Sequence, residues 1–398
     1  MKIFKKSLLA PWLAASLAIP MQAQAAIEDN ITISGFASFV GGRFSEDTHQ
    51  FAGYDDEVTF SADSIMGLQL SAQLSDKISV TTQLVAKGID DYDVEAELAY
   101  LTYSVNRNWD IRAGRIRAPF FYYSDFLDVG YAYPWIRPPS DIYRILLLSF
   151  DGVDTLYRMN HGDWSSTWQF FYGNEDEDIE SVLIGETIPT EANAFTGINV
   201  TLSNDWLTLR GGFVSTDITQ GLPSALENFY DNVLTPAGFG DVVAEWDIRE
   251  EKNAEYLAFA AIIDYNDWLF TAEYTQVEWD RPNIILNDEA WFVMAGRRFG
   301  DFTVHLTYAQ REDDPEFEAN TIPEAHPLHG VFDGILSNAG NSEDTTITAG
   351  VRYDIEAGVA LKFEVSRNER DIAEPLFPGH DSPLDDGTLI NFGVDLVF

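Results

Sequence analysis

The sequence predicts an all-β protein: a 16-stranded antiparallel β-barrel that crosses a membrane, with its third long loop folded into the lumen. Three observations lead there. Most of the chain alternates apolar and polar residues with period two. Tight turns alternate with long acidic segments. One segment, 118–150, breaks the alternation with prolines and clustered aromatics. Alternation puts one apolar and one polar face on each strand. Short turns on one side and long loops on the other are the asymmetry of a barrel set in an outer membrane.

The amino terminus reads as an export signal. Lys2, Lys5 and Lys6 form a positive n-region, Ser7 to Pro20 an apolar core, and Ala23-Gln24-Ala25 a small-x-small cleavage site. The core is too short to serve as a stop-transfer helix. The expected organisation is a signal over 1–25 and one barrel domain over 26–398. Such a chain is exported across the inner membrane of a Gram-negative-type cell.

After the signal, strands with two distinct faces follow one another. In Lys77 to Lys87, Ile78, Val80, Thr82, Leu84 and Ala86 oppose Ser79, Thr81, Gln83 and Lys87. In Asp301 to Arg311, Phe302, Val304, Leu306 and Tyr308 oppose Thr303, His305, Thr307 and Arg311. Thr345 to Asp354 and Gly358 to Arg367 repeat the pattern. A soluble sandwich would alternate in the same way; the connections separate the two. Tight turns recur at Asn106-Arg107-Asn108-Trp109, His161-Gly162-Asp163-Trp164, Asn204-Asp205-Trp206, Asn266-Asp267-Trp268 and Gly300-Asp301-Phe302. Asn, Asp and Gly suit tight hairpins. An aromatic directly after each turn sits at one depth, as in the girdle where lipid meets water. Long acidic segments fall at 44–58, 88–93, 118–150, 174–192, 216–252, 281–287, 312–342 and 369–387. Counting between these connections gives 16 strands with both ends on the short-turn side. Eighteen strands would need one more hairpin, and Ser224 to Leu234 reads instead as a short helix.

The third long segment, RIRAPFFYYSDFLDVGYAYPWIRPPSDIYRILLLSF over 115–150, carries Pro119, Pro134, Pro138 and Pro139. Prolines at this density cannot sit inside a sheet ladder, and so many aromatics are poorly placed on a surface washed by water. Two placements follow: a loop folded back into the lumen, which the aromatics favour, or a loop lying over the barrel end.

Composition narrows the function classes. Sixty-five acidic against 24 basic residues give a formal net charge of −41, and removing the signal takes away three lysines and no acid. A chain so acidic is a poor nucleic-acid binder. Aromatics at 14% argue against disorder. With no cysteine there is neither a disulfide framework nor thiolate chemistry. No Gly-x-Ser-x-Gly elbow, His-Glu-x-x-His, Walker loop or EF-hand spacing occurs. His326 and His329 beside Glu324 are a weak metal signal. The expectation is a protein that is not an enzyme and holds no cofactor or metal.

The chain resembles the outer-membrane porins of Gram-negative bacteria over its whole mature length. The resemblance rests on the opening strand ITISGFASFVGGRF (31–44), the recurrent turns, the third-loop segment, and the last strand LINFGVDLVF (389–398) ending on Phe398. It implies passive diffusion of small hydrophilic solutes and ions through a water-filled channel narrowed by 118–150. It also implies a homotrimer set among lipids and lipopolysaccharide, and recognition of the terminal strand by the barrel assembly machinery. Two departures stand out. The Pro-Glu-Phe-Gly-Gly type motif of enterobacterial third loops is missing, and the second loop, 88–93, is short where family trimers often latch through it.

A charge facing lipid costs about 2–4 kcal/mol at mid-membrane, so wall charges are expected to face the lumen. On the strands these are Lys87, Arg210, Arg311, Arg352, Lys362, Glu364 and Asp395. Arg115 and Arg117 lead into the third loop, where parity breaks near Gly114 and a bulge is expected. The loop supplies Asp125, Asp128 and Asp141, with Arg137 and Arg144 among them. These charges set up a transverse field across a narrow passage, or pair and hold the loop in place, and both can hold at once. The acidic outer loops lean the expectation toward weak cation preference. Three other readings remain open at this point. One is a sugar-preferring channel with an aromatic track of Phe120, Phe121, Tyr122, Tyr123, Tyr131, Tyr133 and Trp135. The others are a closed barrel acting as receptor or adhesin, and a barrel hydrolase.

Overall fold

The computed structural model describes residues 30–46, 50–144, 147–181, 186–280, 287–313, 320–337, 342–372 and 386–398. The expected signal, 1–25, lies outside them. The strands are β1 (Ile31–Phe44), β2 (Ile65–Ser75), β3 (Ile78–Lys87), β4 (Val94–Asn106), β5 (Trp109–Arg117), β6 (Ser149–His161), β7 (Trp164–Ser181) and β8 (Glu186–Ser203). They continue as β9 (Leu207–Gln220), β10 (Lys252–Tyr265), β11 (Trp268–Trp279), β12 (Asp288–Phe299), β13 (Phe302–Asp313), β14 (Ser342–Glu356), β15 (Val359–Ile372) and β16 (Gly387–Val397). Each pairs antiparallel with its neighbours in sequence, and β1 pairs with β16 from Phe36↔Val397 to Phe44↔Leu389. The sheet closes on itself, so no edge is left unpaired, as a bilayer requires.

Period two decides what each face meets. Leu68, Leu70, Phe170, Tyr172, Phe259, Phe270, Leu306, Phe363 and Phe392 stand exposed on the outer face. Their alternates are buried inside: Thr271, Glu273, Thr307, Lys362, Glu364, Asn391 and Asp395. A soluble protein would invert this; a membrane barrel requires it. The aromatics after the tight turns, Trp109, Trp164, Trp206, Trp268 and Phe302, are 37–48% exposed and occupy one end of the barrel. The turns fold as their residues dictate: Asn266 and Asp267 both take positive φ, as do Gly162, Gly300 and Gly358.

The expected loop 174–192 is corrected. β7 and β8 run on to Ser181 and Glu186, pairing from Glu175↔Ala192 to Ser181↔Glu186 past a bulge at Gly173/Glu175. A run such as Glu175-Asp176-Glu177-Asp178 reads as loop on charge alone. Across the hairpin Thr190 pairs with Glu177, Ile188 with Ile179 and Thr187 with Glu180, β-branched partners that let the backbone pair in spite of the charge. The first long loop is longer than expected, since β2 begins only at Ile65.

Two long loops fold further. The segment from Ser224 is helical, as expected, in α1 (Ser224–Phe229), a π-helical stretch Tyr230–Phe239, and α2 (Gly240–Trp246). The loop after β13 supplies α3 (Pro327–Ser337). Tyr230, Leu234 and Trp246 pack with Ile322, Phe332 and Leu336 into one apolar cluster, so these two loops form a small cap at the long-loop end.

Candidate functional site

The strands place the loop 118–148 by two kinds of contact. The first is apolar. Phe120, Phe121, Tyr123, Tyr133 and Trp135 of the loop are 1–6% exposed and share a cluster with inward-facing Phe150, Phe171, Phe195, Tyr256 and Phe292. Phe120 sits edge-on to Tyr256 at 5.0 Å between ring centres, and Trp135 edge-on to Phe292 at 5.6 Å. Such pairs add to burial through their ring quadrupoles. The aromatic residues that mark this segment in the sequence therefore fasten it to the inner wall over β6 to β13. An exposed track of seven rings is overturned by this burial; of the seven, only Tyr122 and Tyr131 are half-exposed.

The second kind is polar, and it meets the same inner face. Trp135 Nε1 donates to Thr307 Oγ1 at 2.8 Å, and the Ile136 N–H to Glu364 Oε1 at 2.9 Å. The Tyr122 N–H donates to Glu273 Oε1 at 2.8 Å, and Tyr143 Oη to the other oxygen of that carboxylate. Arg210 donates to the Pro119 carbonyl at 2.7 Å. Arg352 donates to the carbonyls of Tyr131 and Tyr133 at 2.6 and 3.0 Å. Thr346 donates to Asp141 at 2.9 Å. Prolines deprive this segment of ladder hydrogen bonds, so its carbonyls are satisfied by wall side chains instead.

The sequence-expected charges fall into place as partners. Lys362 lies 2.7 Å from Asp395 and donates to the Gly130 carbonyl at 2.7 Å and to that of Trp135. Arg117 is buried between Glu97 and Asp128 of the loop, and Lys87 pairs with Glu97. Arg311 bridges Asp313 and Asp344, each at 2.6 Å. Arg115 pairs along the wall with Glu175 at 2.7 Å. The bulge expected near Gly114 does not form: β5 pairs in register through Gly114 with β4 and β6, and the irregularity there is its φ of +131°. Arg137 and Arg144 tie the loop to Asp63 and Asp288. Pairing, rather than opposed rows of free charge, is thus what these groups do. Asp125 differs: it is exposed on the loop, with no ion pair among the described residues.

Sequence reasoning passed over Glu273, Glu97, Asp63 and the Arg112–Asp154–Gln169 group on β5 to β7. Glu273 carried a signal, an inward position on a strand whose alternates are Phe270 and Ala272. Asp63 carried none, because it lies in an irregular loop. Among the described residues no cluster could hold a metal ion, and His326 and His329 serve the cap, His329 Nδ1 meeting the Ile322 carbonyl.

A closed barrel with an apolar outer belt, an aromatic girdle and a polar, loop-crossed lumen defines a channel protein of the outer membrane. The chain belongs to the Gram-negative porin family, whose pattern it matches over residues 12–373. It is accordingly a passive diffusion channel and not an enzyme. Solved structures agree on the fold. The anion-selective porin from Comamonas acidovorans superposes with a TM-score of 0.57 at 12% identity, covering 92% of this chain and 99% of that one. In-vitro folded OmpT of Vibrio cholerae, in its trimer form, gives 0.54 at 13% identity, covering 93% and 100%. OmpF of Salmonella typhi in complex with daunomycin gives 0.54 at 13% identity, covering 93% and 98%. No curated protein matches the chain at a significant level.

Proposed function

We propose that solutes cross this porin along the inner face of β2 to β5, past a constriction formed by 118–148. The observation that carries this reading is the one-sidedness of the loop. Its aromatics are buried mainly against β6 to β13, whereas most inner positions of β2 to β5 are polar, with Val85, Leu98 and Ile116 as buried apolar exceptions. There Gln83 donates to Gln69 at 3.2 Å, Ser71 and Thr81 are 3.5 Å apart, and Arg112 stands over Tyr100. Water-lined amides and hydroxyls let small hydrophilic solutes exchange hydration for wall contacts at little loss.

Lys87, Arg115, Arg117, Arg311, Arg352 and Lys362 are each offset by a carboxylate. Arg210 is engaged by a loop carbonyl. Asp128, Asp141 and Glu364 are held by the loop–wall contacts, which leaves Asp125, among the described residues, as the loop carboxylate that faces water without an ion pair. A weak preference for cations follows. Residues 1–25 act as the export signal, and Phe398 closes the strand read by the barrel assembly machinery. The trimer form of Vibrio cholerae OmpT supports a homotrimer here, among lipid and lipopolysaccharide, with a second loop too short to latch as in enterobacterial relatives.

Single-channel current of the refolded barrel in a planar bilayer, under a salt gradient, tests this. Ohmic steps in groups of three with a cation-selective reversal potential are expected. Silence from folded, inserted protein would mean that the loop seals the lumen.

A further inference from the structure

Beneath the loop, on the side of the tight turns, lies a cavity of about 370 Å³. Its roof is aromatic: Tyr122, Tyr123, Phe126 and Tyr131. The roof is rigid, since Tyr122 meets Tyr123 edge-on at 4.9 Å and Phe126 edge-on at 6.2 Å. Ile262, Leu269 and Met294 make an apolar side wall. The rim carries charge of both signs. Arg298 holds Asp264 through two hydrogen bonds of 2.7 Å, and Asp354 receives Arg352 at 2.7 Å. The side chains of Arg298, Asp264 and Asp354 are 41%, 52% and 38% exposed, so they are open to a solute.

Nothing in passive passage of ions calls for such a chamber. A conduit for water and salt is best lined with hydroxyls, whereas a half-open recess walled mainly by aromatic and aliphatic side chains, with charged groups of both signs converging on its rim, is the form of a small-molecule site. We infer that this cavity binds small aromatic zwitterions, with the ring under the tyrosine roof, the carboxylate on Arg298 and the ammonium on Asp354 and Asp264. A simple aromatic anion would use Arg298 and leave two carboxylates facing it. An apolar solute would leave the rim unused. A zwitterion matches both signs, and its ammonium also faces the electron-rich rings. Arg298 presents a planar fork suited to a carboxylate, and exchanging one carboxylate partner for another keeps its hydrogen bonds. The inference rests on the channel reading only in that solutes reach the chamber through the lumen.

The test is equilibrium binding of phenylalanine to the folded full-length barrel in detergent micelles, read by saturation transfer from protein to ligand protons. Alanine serves as the control that lacks the ring, and phenylacetate as the one that lacks the ammonium. Phenylalanine is expected to receive saturation at its ring protons and to bind more tightly than either control. Losing a charge-assisted contact in Arg298→Gln, or the ring in Tyr122→Ala, is expected to weaken binding about tenfold. Tyr122→Ala keeps the backbone N–H that bonds Glu273, and a heat-modifiable band on a gel verifies folding of each variant. Equal saturation with phenylalanine and alanine, or unchanged affinity in both folded variants, would overturn the site. Neither result depends on conductance, so a silent channel that still binds phenylalanine would reject the passage reading and keep this one.

Discussion

Lys362 lies 2.7 Å from Asp395, joining adjacent strands β15 and β16 within the lumen, and the same ammonium holds two carbonyls of the third loop. Asp395 also accepts from Ser38 on β1 at 2.6 Å, so one buried pair links the barrel's closing seam to its constriction. Replacing Lys362 by Met removes the cation and leaves Asp395 buried without its counter-charge. Breaking one side of a buried pair costs about 3–5 kcal/mol. The expected result is a lower thermal unfolding temperature in detergent and noisier single-channel current as residues 130–135 come loose. Adding Asp395→Leu is expected to recover most of the stability and little of the quiet current. A Lys362→Met barrel as stable and as quiet as wild type would show that the pair does not hold the loop.

Asp141 makes the loop sensitive to pH. Burial pushes its carboxyl up to about 6; the Thr346 hydroxyl opposes the shift and the nearby Asp344 adds to it. The folded state therefore binds this proton more tightly than the unfolded chain does. That contribution is complete below the unfolded value near 3.8 and is lost as pH climbs through about 6. Asp141→Asn keeps an acceptor for Thr346 without the charge. It is expected to be more stable than wild type above about pH 7, by on the order of 2 kcal/mol, and no more stable near about pH 4. Unfolding temperatures at the two pH values decide it, and a gain of the same size at both would dismiss the titration.

Asp125 is expected to tune selectivity without supporting the fold. At about 10 Å in a water-like medium one charge is worth about 0.4 kcal/mol, roughly a factor of two in relative permeability. Asp125→Asn should thus move the reversal potential toward anions by that factor, and high salt should erase the difference. An unmoved reversal potential would place the conducting path away from this side of the loop.

Gly114 sets the geometry of the strand that launches the loop. A Cβ there would lie 2.2 Å from the Ala99 carbonyl oxygen and 2.9 Å from the Tyr100 Cα, both backbone, and φ is +131°. Gly114→Ala is expected to cost about 1–3 kcal/mol or more and to disturb the burial of Ile116 and Arg117 just beyond it. Unfolding temperature and channel conductance should both change. A silent substitution would mean that β5 has a second conformation available to it.

How far the sequence could be read follows from what alternation encodes. The strand number, the girdle and the inward direction of Lys362, Glu364 and Arg352 follow from period two, because lipid on one side and water on the other make the two faces chemically opposite. The buried rings of the loop were legible as aromatics but not as anchors, since period two says nothing of an irregular segment. Their partners Phe150, Phe171, Phe195 and Phe292 occupy inner positions where a polar residue was the default expectation. Asp63 and Glu97 were illegible for a related reason: a loop and a bulge, respectively, bring them to Arg137 and Arg117. The hairpin of β7 and β8 misled because charge density masked a pairing that the partner strand's Thr and Ile residues supply.

The cap offers a way to separate outer loops from barrel. Phe332 is fully buried among Tyr230, Trp246 and Leu336, with the Trp246 ring edge-on at 5.8 Å. Arg249 closes the cap from outside, pairing with Asp231 and Asp247, each at 2.8 Å. Phe332→Ala removes a side chain on which two loops converge, and a buried Phe truncated to Ala costs about 3–5 kcal/mol. The cap's apolar cluster is separate from the cluster that fastens the third loop to the wall, so its local structure is expected to open while the hydrogen-bonded wall stays closed. Trypsin should then cut after Arg249 much faster than in wild type, with the barrel's unfolding temperature and unit conductance nearly unchanged. If the unfolding temperature falls in step with the faster cleavage, the cap and the barrel fold as one cooperative unit, and the two loops brace the wall instead of riding on it.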